Sequence, residues 1–143
     1  KLAKHFGFNL IDSDKLIETV ENKSLQEILD NRGIEKFKKI EEAALLSVKF
    51  NQTILATGGS AIFSKDAMSY IKKNSSVIYI EVCFEKILDR ISNFSDRGFV
   101  KAPHQTIQQA FNERVDVYRD FADHIVTNNA DLESCFKKIL RII

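Results

Sequence analysis

The sequence predicts an α/β fold, a parallel sheet flanked by helices on both sides, and three observations carry that expectation. Short apolar, β-rich runs alternate with segments whose apolar residues recur at helical spacing. Two of those runs end abruptly, one in Asp12-Ser13-Asp14 and one in Thr57-Gly58-Gly59-Ser60. In an open parallel sheet, ligands bind outside the carboxyl ends of strands, so both loops are candidate site loops.

Taken in order, Lys1 to Phe6 reads as the last turns of a helix with Gly7 as its stop. Phe8-Asn9-Leu10-Ile11 is then a buried strand opening into the loop at Asp12 and Asp14. Asp12 or Ser13 can equally be the N-cap of the helix that follows at Lys15, where Leu16, Ile17 and Val20 recur. Ser24-Leu25-Gln26-Glu27 has the form of a capping box, and its helix stops at Arg32-Gly33. A third helix runs from about Glu35 to Val48, with Phe37, Ile40, Ala44, Leu45 and Val48 on one side.

Thr53 to Ala56 is the second strand, followed after the glycine loop by a helix from about Lys65 to Lys72. Ser76 to Val82 is another buried strand, and Phe84 to Ser92 a helix by its Phe84, Ile87, Leu88 and Ile91 spacing. Residues 93–105 lack periodicity and contain the only proline, so they form the one loop long enough to act as a lid. A long helix from Thr106 to Phe121, a short strand from His124 to Thr127 and an amphipathic helix from Leu132 to Ile143 complete the chain.

Composition narrows the function. At 143 residues, 44% of them hydrophobic, the chain suits a single domain over 1–143. Its 21 basic and 20 acidic residues leave a net charge of +1, which supplies no global field for nucleic acid or an anionic membrane. No apolar run reaches the roughly 18 residues of a membrane span. Cys83 and Cys135 suggest neither a disulfide framework nor a zinc site, and a reducing cytoplasmic setting is expected.

Basic residues stand where they could edge a site: Lys38 on the third helix, Arg90 at the end of the Phe84 helix, Arg97 in the lid loop and Arg114 on the long helix. Any one of them can be a solvated surface charge. Together with two carboxylates and a Gly-Gly turn, they are what phosphoryl transfer to a hydroxyl needs: a base or metal contact, close backbone, and positive charge.

Leu2-Ala3, Ile11-Asp12-Ser13-Asp14 with Ile17-Glu18, Phe37-Lys38-Lys39-Ile40-Glu41-Glu42, Ala56-Thr57-Gly58-Gly59, Arg97, and Arg114 with Tyr118 resemble the shikimate kinase family, in order and over essentially the whole chain. The resemblance implies a P-loop kinase of the nucleoside-monophosphate-kinase type that uses ATP and Mg²⁺ to phosphorylate a hydroxyl of shikimate. By position, Asp12 helps hold magnesium and orients or deprotonates the attacking hydroxyl, and Asp14 hydrogen-bonds the substrate hydroxyls. Residues 14–49 become the substrate-binding helices. Lys38 stands at a carboxylate-gripping arginine and Arg114 matches the second. Gly58, Gly59 and Ser60 lie against the substrate, Arg97 is the lid arginine that closes on the phosphates, and Arg90 lies near the nucleotide. A cytoplasmic monomer with a small-molecule substrate, and with neither nucleic acid nor membrane as partner, is the corresponding expectation.

The family's glycine-rich phosphate loop and the central strand before it have no counterpart in these residues. The implied explanation is a fragment lacking roughly 15 to 25 upstream residues; the other is a complete chain that has lost ATP binding. Four positions depart from the family pattern: Lys38 for arginine, Ser60 for a third glycine, Gly98 for the proline after Arg97, and Asp116 for the proline of Arg-x-Pro-x-Tyr. They leave open a paralogous kinase with another hydroxylated anionic substrate, and a non-catalytic binding module keeps the pocket without the nucleotide loop.

Overall fold

The parallel pairing of β1, Asn9–Asp12, with β2, Thr53–Ala56, sets the geometry of the first half of the chain, because its register runs from Asn9 opposite Thr53 to Asp12 opposite Ala56. Both strands therefore end at the same level, and the loops that leave them start side by side. The computed structural model describes residues 1–90, 101 and 104–143. They fall into two compact units, one from Lys1 to Ser75 and one from Ser76 onward.

In the first unit, α1 (Leu2–Phe6) ends at Gly7 in the left-handed region, as its sequence predicts. The helix α2 (Ser13–Glu21) starts two residues earlier than expected, because Asp12 caps it. The long α3 (Leu25–Leu46) opens on the predicted capping box: Ser24 Oγ accepts from the Glu27 N–H at 3.2 Å while Glu27 Oε2 accepts from the Ser24 N–H at 2.8 Å. Gly33, at φ 72° and ψ 169°, breaks α3 internally where the sequence separates two helices. Only glycine occupies that backbone region at low cost.

Ile17, Ile28 and Phe37 form the core between α2 and α3, flanked by Leu25, Leu29, Ile34, Ile40 and Ala44. Ile17, Ile28 and Phe37, almost wholly buried, contribute about 2 kcal/mol each. Ala61–Phe63 adds a short 3₁₀ turn that the sequence does not announce, and α4 (Lys65–Asn74) runs two residues past its expected end.

In the second unit, β3 (Ile78–Glu81) pairs in parallel with β4 (His124–Thr127), Ile78 opposite His124 and Glu81 opposite Thr127. The helices are α5 (Phe84–Arg90), α6 (Ile107–Phe121) and α7 (Leu132–Ile139). Thr106 and Gln109 make a capping box for α6, and Tyr118 of α6 stacks on Tyr79 of β3 with ring centres 5.1 Å apart. The Cys83 N–H donates to Asn129 Oδ1 at 2.8 Å, tying together the segments that follow β3 and β4.

Two expectations change. Helix α7 stops at Ile139 rather than Ile143, because the N–H groups of Arg141 and Ile142 turn back to the carbonyls of Lys138 and Ile139, tightening the chain out of α geometry. Strands β1 and β3 are not buried throughout, since Leu10 and Ile80 are exposed. Among the described residues each strand belongs to a two-stranded pair, and alternate side chains of a strand point to opposite faces. Of the lid loop 93–105, only residues 101, 104 and 105 are described; Arg97 and Gly98 lie outside the described residues.

Candidate active site

Asp12 is at once the last residue of β1 and the N-cap of α2. Its Oδ1 accepts from the N–H groups of Asp14 at 3.1 Å and Lys15 at 3.4 Å, which satisfies two donors that the helix leaves unpaired. The cap therefore exists, and it draws on one oxygen of the carboxylate.

With the cap taken by Asp12, Ser13 is released for another use. It is fully buried, and its Oγ accepts from the Gly58 N–H at 2.9 Å while donating to Asp14 Oδ1 at 3.4 Å. The two strand-end loops are thus joined by one hydroxyl. A Cβ on Gly58 would lie 2.6 Å from Asp14 Oδ1 and 3.2 Å from Glu41 Oε1, so any other residue here requires the two carboxylates to shift.

Burial pushes the Asp14 carboxyl above the ordinary carboxylate value, and the neighbouring Asp12 charge adds to the rise. The Ser13 hydrogen bond opposes it, and Glu18 adds a smaller upward push. A carboxylate with raised proton affinity is a stronger acceptor for hydroxyl donors.

Glu41 completes this side of the site. It falls on the buried stripe Phe37, Glu41, Leu45 of α3 and accepts from Ser60 Oγ at 2.8 Å. A cavity of about 180 Å³ opens here, lined by Lys38, Glu41, Ser60 and Phe63 among others. Lys38 Nζ lies 3.1 Å from Glu35 Oε1 and 5.4 Å above the centre of the Phe63 ring.

The first unit therefore brings Asp12, Asp14, Gly58 and Ser60 to one end of the β1–β2 pair, with exposed Gly59 in the same loop and Lys38 on the adjoining cavity. The other two described residues belong to the second unit. Arg114 is buried on α6, and Arg90, exposed at the end of α5, donates from Nη2 to the Ala130 carbonyl at 3.0 Å.

Among the described residues no three His, Cys, Asp or Glu side chains cluster so as to hold a metal ion. A magnesium ion carried on nucleotide phosphates needs only one or two carboxylates, and Asp12 fits that lesser demand. The five glycines, Gly7, Gly33, Gly58, Gly59 and Gly98, form no Gly-x-x-x-x-Gly-Lys-Ser/Thr loop.

Ser13 and Glu41 are the site members that sequence reasoning passes over. Glu41 leaves a signal, since a carboxylate at the middle of the i, i+4, i+8 stripe Phe37, Glu41, Leu45 is a polar residue on an apolar face. Ser13 leaves none, being indistinguishable from an ordinary helix-start serine.

A family model described as shikimate kinase matches residues 1–143. The shikimate kinase of Caldanaerobacter subterraneus is 32% identical over 145 residues, which cover 99% of this chain and 84% of that one. That of a Sulfurihydrogenibium species is 33% identical over 120 residues, covering 82% of this chain and 72% of that one. Among solved structures, shikimate kinase from Acinetobacter baumannii in complex with shikimate superposes with a TM-score of 0.86 at 25% identity, covering 99% of this chain and 82% of that one. The Aquifex aeolicus enzyme gives 0.82 at 28% identity, covering 98% and 83%.

Proposed function

This chain belongs to the shikimate kinase family of ATP-dependent kinases, and from that premise we propose that it transfers a phosphoryl group from ATP to a hydroxyl of shikimate. The observation that supports this most is the approach of Gly58 to Asp14, which leaves no room for a Cβ. A bare backbone beside a carboxylate of raised proton affinity suits a ring bearing several hydroxyls: the carboxylate accepts from the hydroxyls, and the glycine lets the ring come close.

In this reading Asp14 orients the substrate through its hydroxyls, and Gly58, Gly59 and Ser60 form the surface it lies against. Lys38 and Arg114 take the substrate carboxylate, Lys38 exchanging Glu35 for it. Asp12 accepts the proton of the attacking hydroxyl, or directs it, and would help hold magnesium, which would offset charge on the phosphates. ATP supplies the phosphoryl group. Arg97 and Arg90 serve the nucleotide, Arg97 on the phosphates. The free thiols of Cys83 and Cys135 suit the cytoplasm, and no helix among the described residues is long and apolar enough to cross a membrane. We place the enzyme there as a monomer, with residues 1–143 as one kinase domain.

A coupled ADP-release assay on the full-length protein, with shikimate beside a panel of other hydroxy acids, tests the reading. Shikimate-dependent ADP release well above every other acid is expected. Turnover of another acid with none of shikimate would replace shikimate with that acid and leave the kinase family intact.

A further inference from the structure

Ser13 touches both Asp14 and Gly58, the two residues proposed to meet the substrate, and has no role of its own in that proposal. A serine hydroxyl has one proton to donate and lone pairs to accept with. Here the Gly58 N–H can only donate, so it takes a lone pair of Oγ at 2.9 Å, and the proton is left for the Asp14 carboxylate at 3.4 Å. Both functions of the hydroxyl are thereby used, in a residue with no solvent exposure.

The position is also unusual for its type. A serine at the start of a helix ordinarily serves the helix, by capping it or by facing water. Asp12 already caps α2, and the partner of Ser13 lies 45 residues away, in the other strand-end loop. The hydroxyl thus fixes the distance between an acceptor for substrate hydroxyls and the backbone on which the ring rests.

We infer that Ser13 is a positioning residue for substrate recognition, acting through Asp14 and Gly58 to hold the two loops as one preorganised surface. The inference rests on the reading that Asp14 and Gly58 meet the substrate. Misplacement of such a surface by a few tenths of an ångström weakens binding of the hydroxy acid while leaving the nucleotide untouched.

The test uses Ser13→Ala, Ser13→Cys, Asp14→Asn and the Ser13→Ala/Asp14→Asn pair in the full-length protein. KM for shikimate, or for whichever hydroxy acid is turned over, is measured beside KM for ATP and the thermal unfolding midpoint. Ser13→Ala and Ser13→Cys are expected to raise the acid KM about tenfold with the ATP KM within about twofold of the parent. The paired variant is expected within about twofold of Asp14→Asn alone, because the two residues act as a unit. An unchanged acid KM, equal losses for both substrates, or effects that multiply in full would overturn the inference. Cysteine fills the site that alanine leaves empty while weakening both hydrogen bonds, so it gives the same reading if the alanine variant does not fold. If Asp14→Asn itself leaves the acid KM unchanged, the substrate reading fails and takes this inference with it; a damaging Asp14→Asn beside silent Ser13 variants overturns the inference alone.

Discussion

Asp14 Oδ1 occupies the place next to Gly58 where a side chain would begin, 2.6 Å from the position of a Cβ. Real carbon and oxygen atoms do not approach so closely without bonding, so glycine and carboxylate are mutually dependent at the end of the β1–β2 pair.

Replacement of Gly58 by alanine forces the Asp14 carboxylate away and crowds Glu41. Such overpacking costs about 1–3 kcal/mol, and KM for the hydroxy acid is expected to rise by more than about tenfold. Gly33→Ala is the control. Nothing lies within 4 Å of a Cβ there, but φ is 72°, so about 1–3 kcal/mol of stability is lost through backbone strain with KM little changed. Steady-state kinetics and denaturant unfolding on both variants decide it.

Asp14→Asn separates stability from activity. Folding raises the Asp14 pKa above its ordinary 3.8 because burial and Asp12 oppose its charge, so the ionised side chain destabilises the folded state. Below pH 3.8 the side chain is protonated in both states and the penalty is absent; it grows as pH rises through the raised folded value and is complete above it. Asparagine cannot ionise. The variant is expected to unfold at a higher temperature than the parent at neutral pH, with the difference vanishing below pH 4 or thereabouts, while substrate turnover falls. Thermal unfolding from pH 3 to 8 or so reads the first effect, and the ADP-release assay the second.

Lys38→Arg tests the recognition of the substrate carboxylate. The ammonium is a point charge paired with exposed Glu35 at 3.1 Å, an arrangement held weakly in water. A guanidinium presents two parallel donors to a carboxylate. KM for shikimate is expected to fall about threefold in the arginine variant and to rise by more than about tenfold in Lys38→Met. A carboxylate-free analogue should show neither change.

Asp131 reports on the second unit. It caps α7 through Oδ1, which accepts from the Ser134 N–H at 2.8 Å, and Oδ2, which accepts from Ser134 Oγ at 2.6 Å. These bonds hold its pKa down to about 2. A depressed carboxylate stabilises the fold above its unfolded value and loses that contribution as pH falls through the folded one. The amides of the first turn of α7 are expected to lose exchange protection as pH drops from 4 to 2 or so, and Asp131→Ala to lose it already at neutral pH.

The helices and the strand ends are largely legible in the sequence because their signals are local. Ser24 and Glu27 make their capping box within four residues, and Gly33 breaks α3 through its own dihedral angles. Asp12 carries two readings, cap and site, and local pattern cannot choose between them; its Oδ1 makes the cap, and the site role stays a proposal. Leu10 reads as core by composition and stands exposed, since whether a strand residue is covered depends on what packs over its face.

That Asp14 and Gly58 each follow a strand is legible along the chain, because strand and loop residues announce themselves within a few positions. That they touch depends on the folded chain. The β1–β2 register brings Asp12 level with Ala56, and Ser13 then spans 45 residues of chain to hold the Gly58 amide. A hydrogen bond of that reach is a property of two backbones brought together, and it leaves no mark in the neighbourhood of either residue.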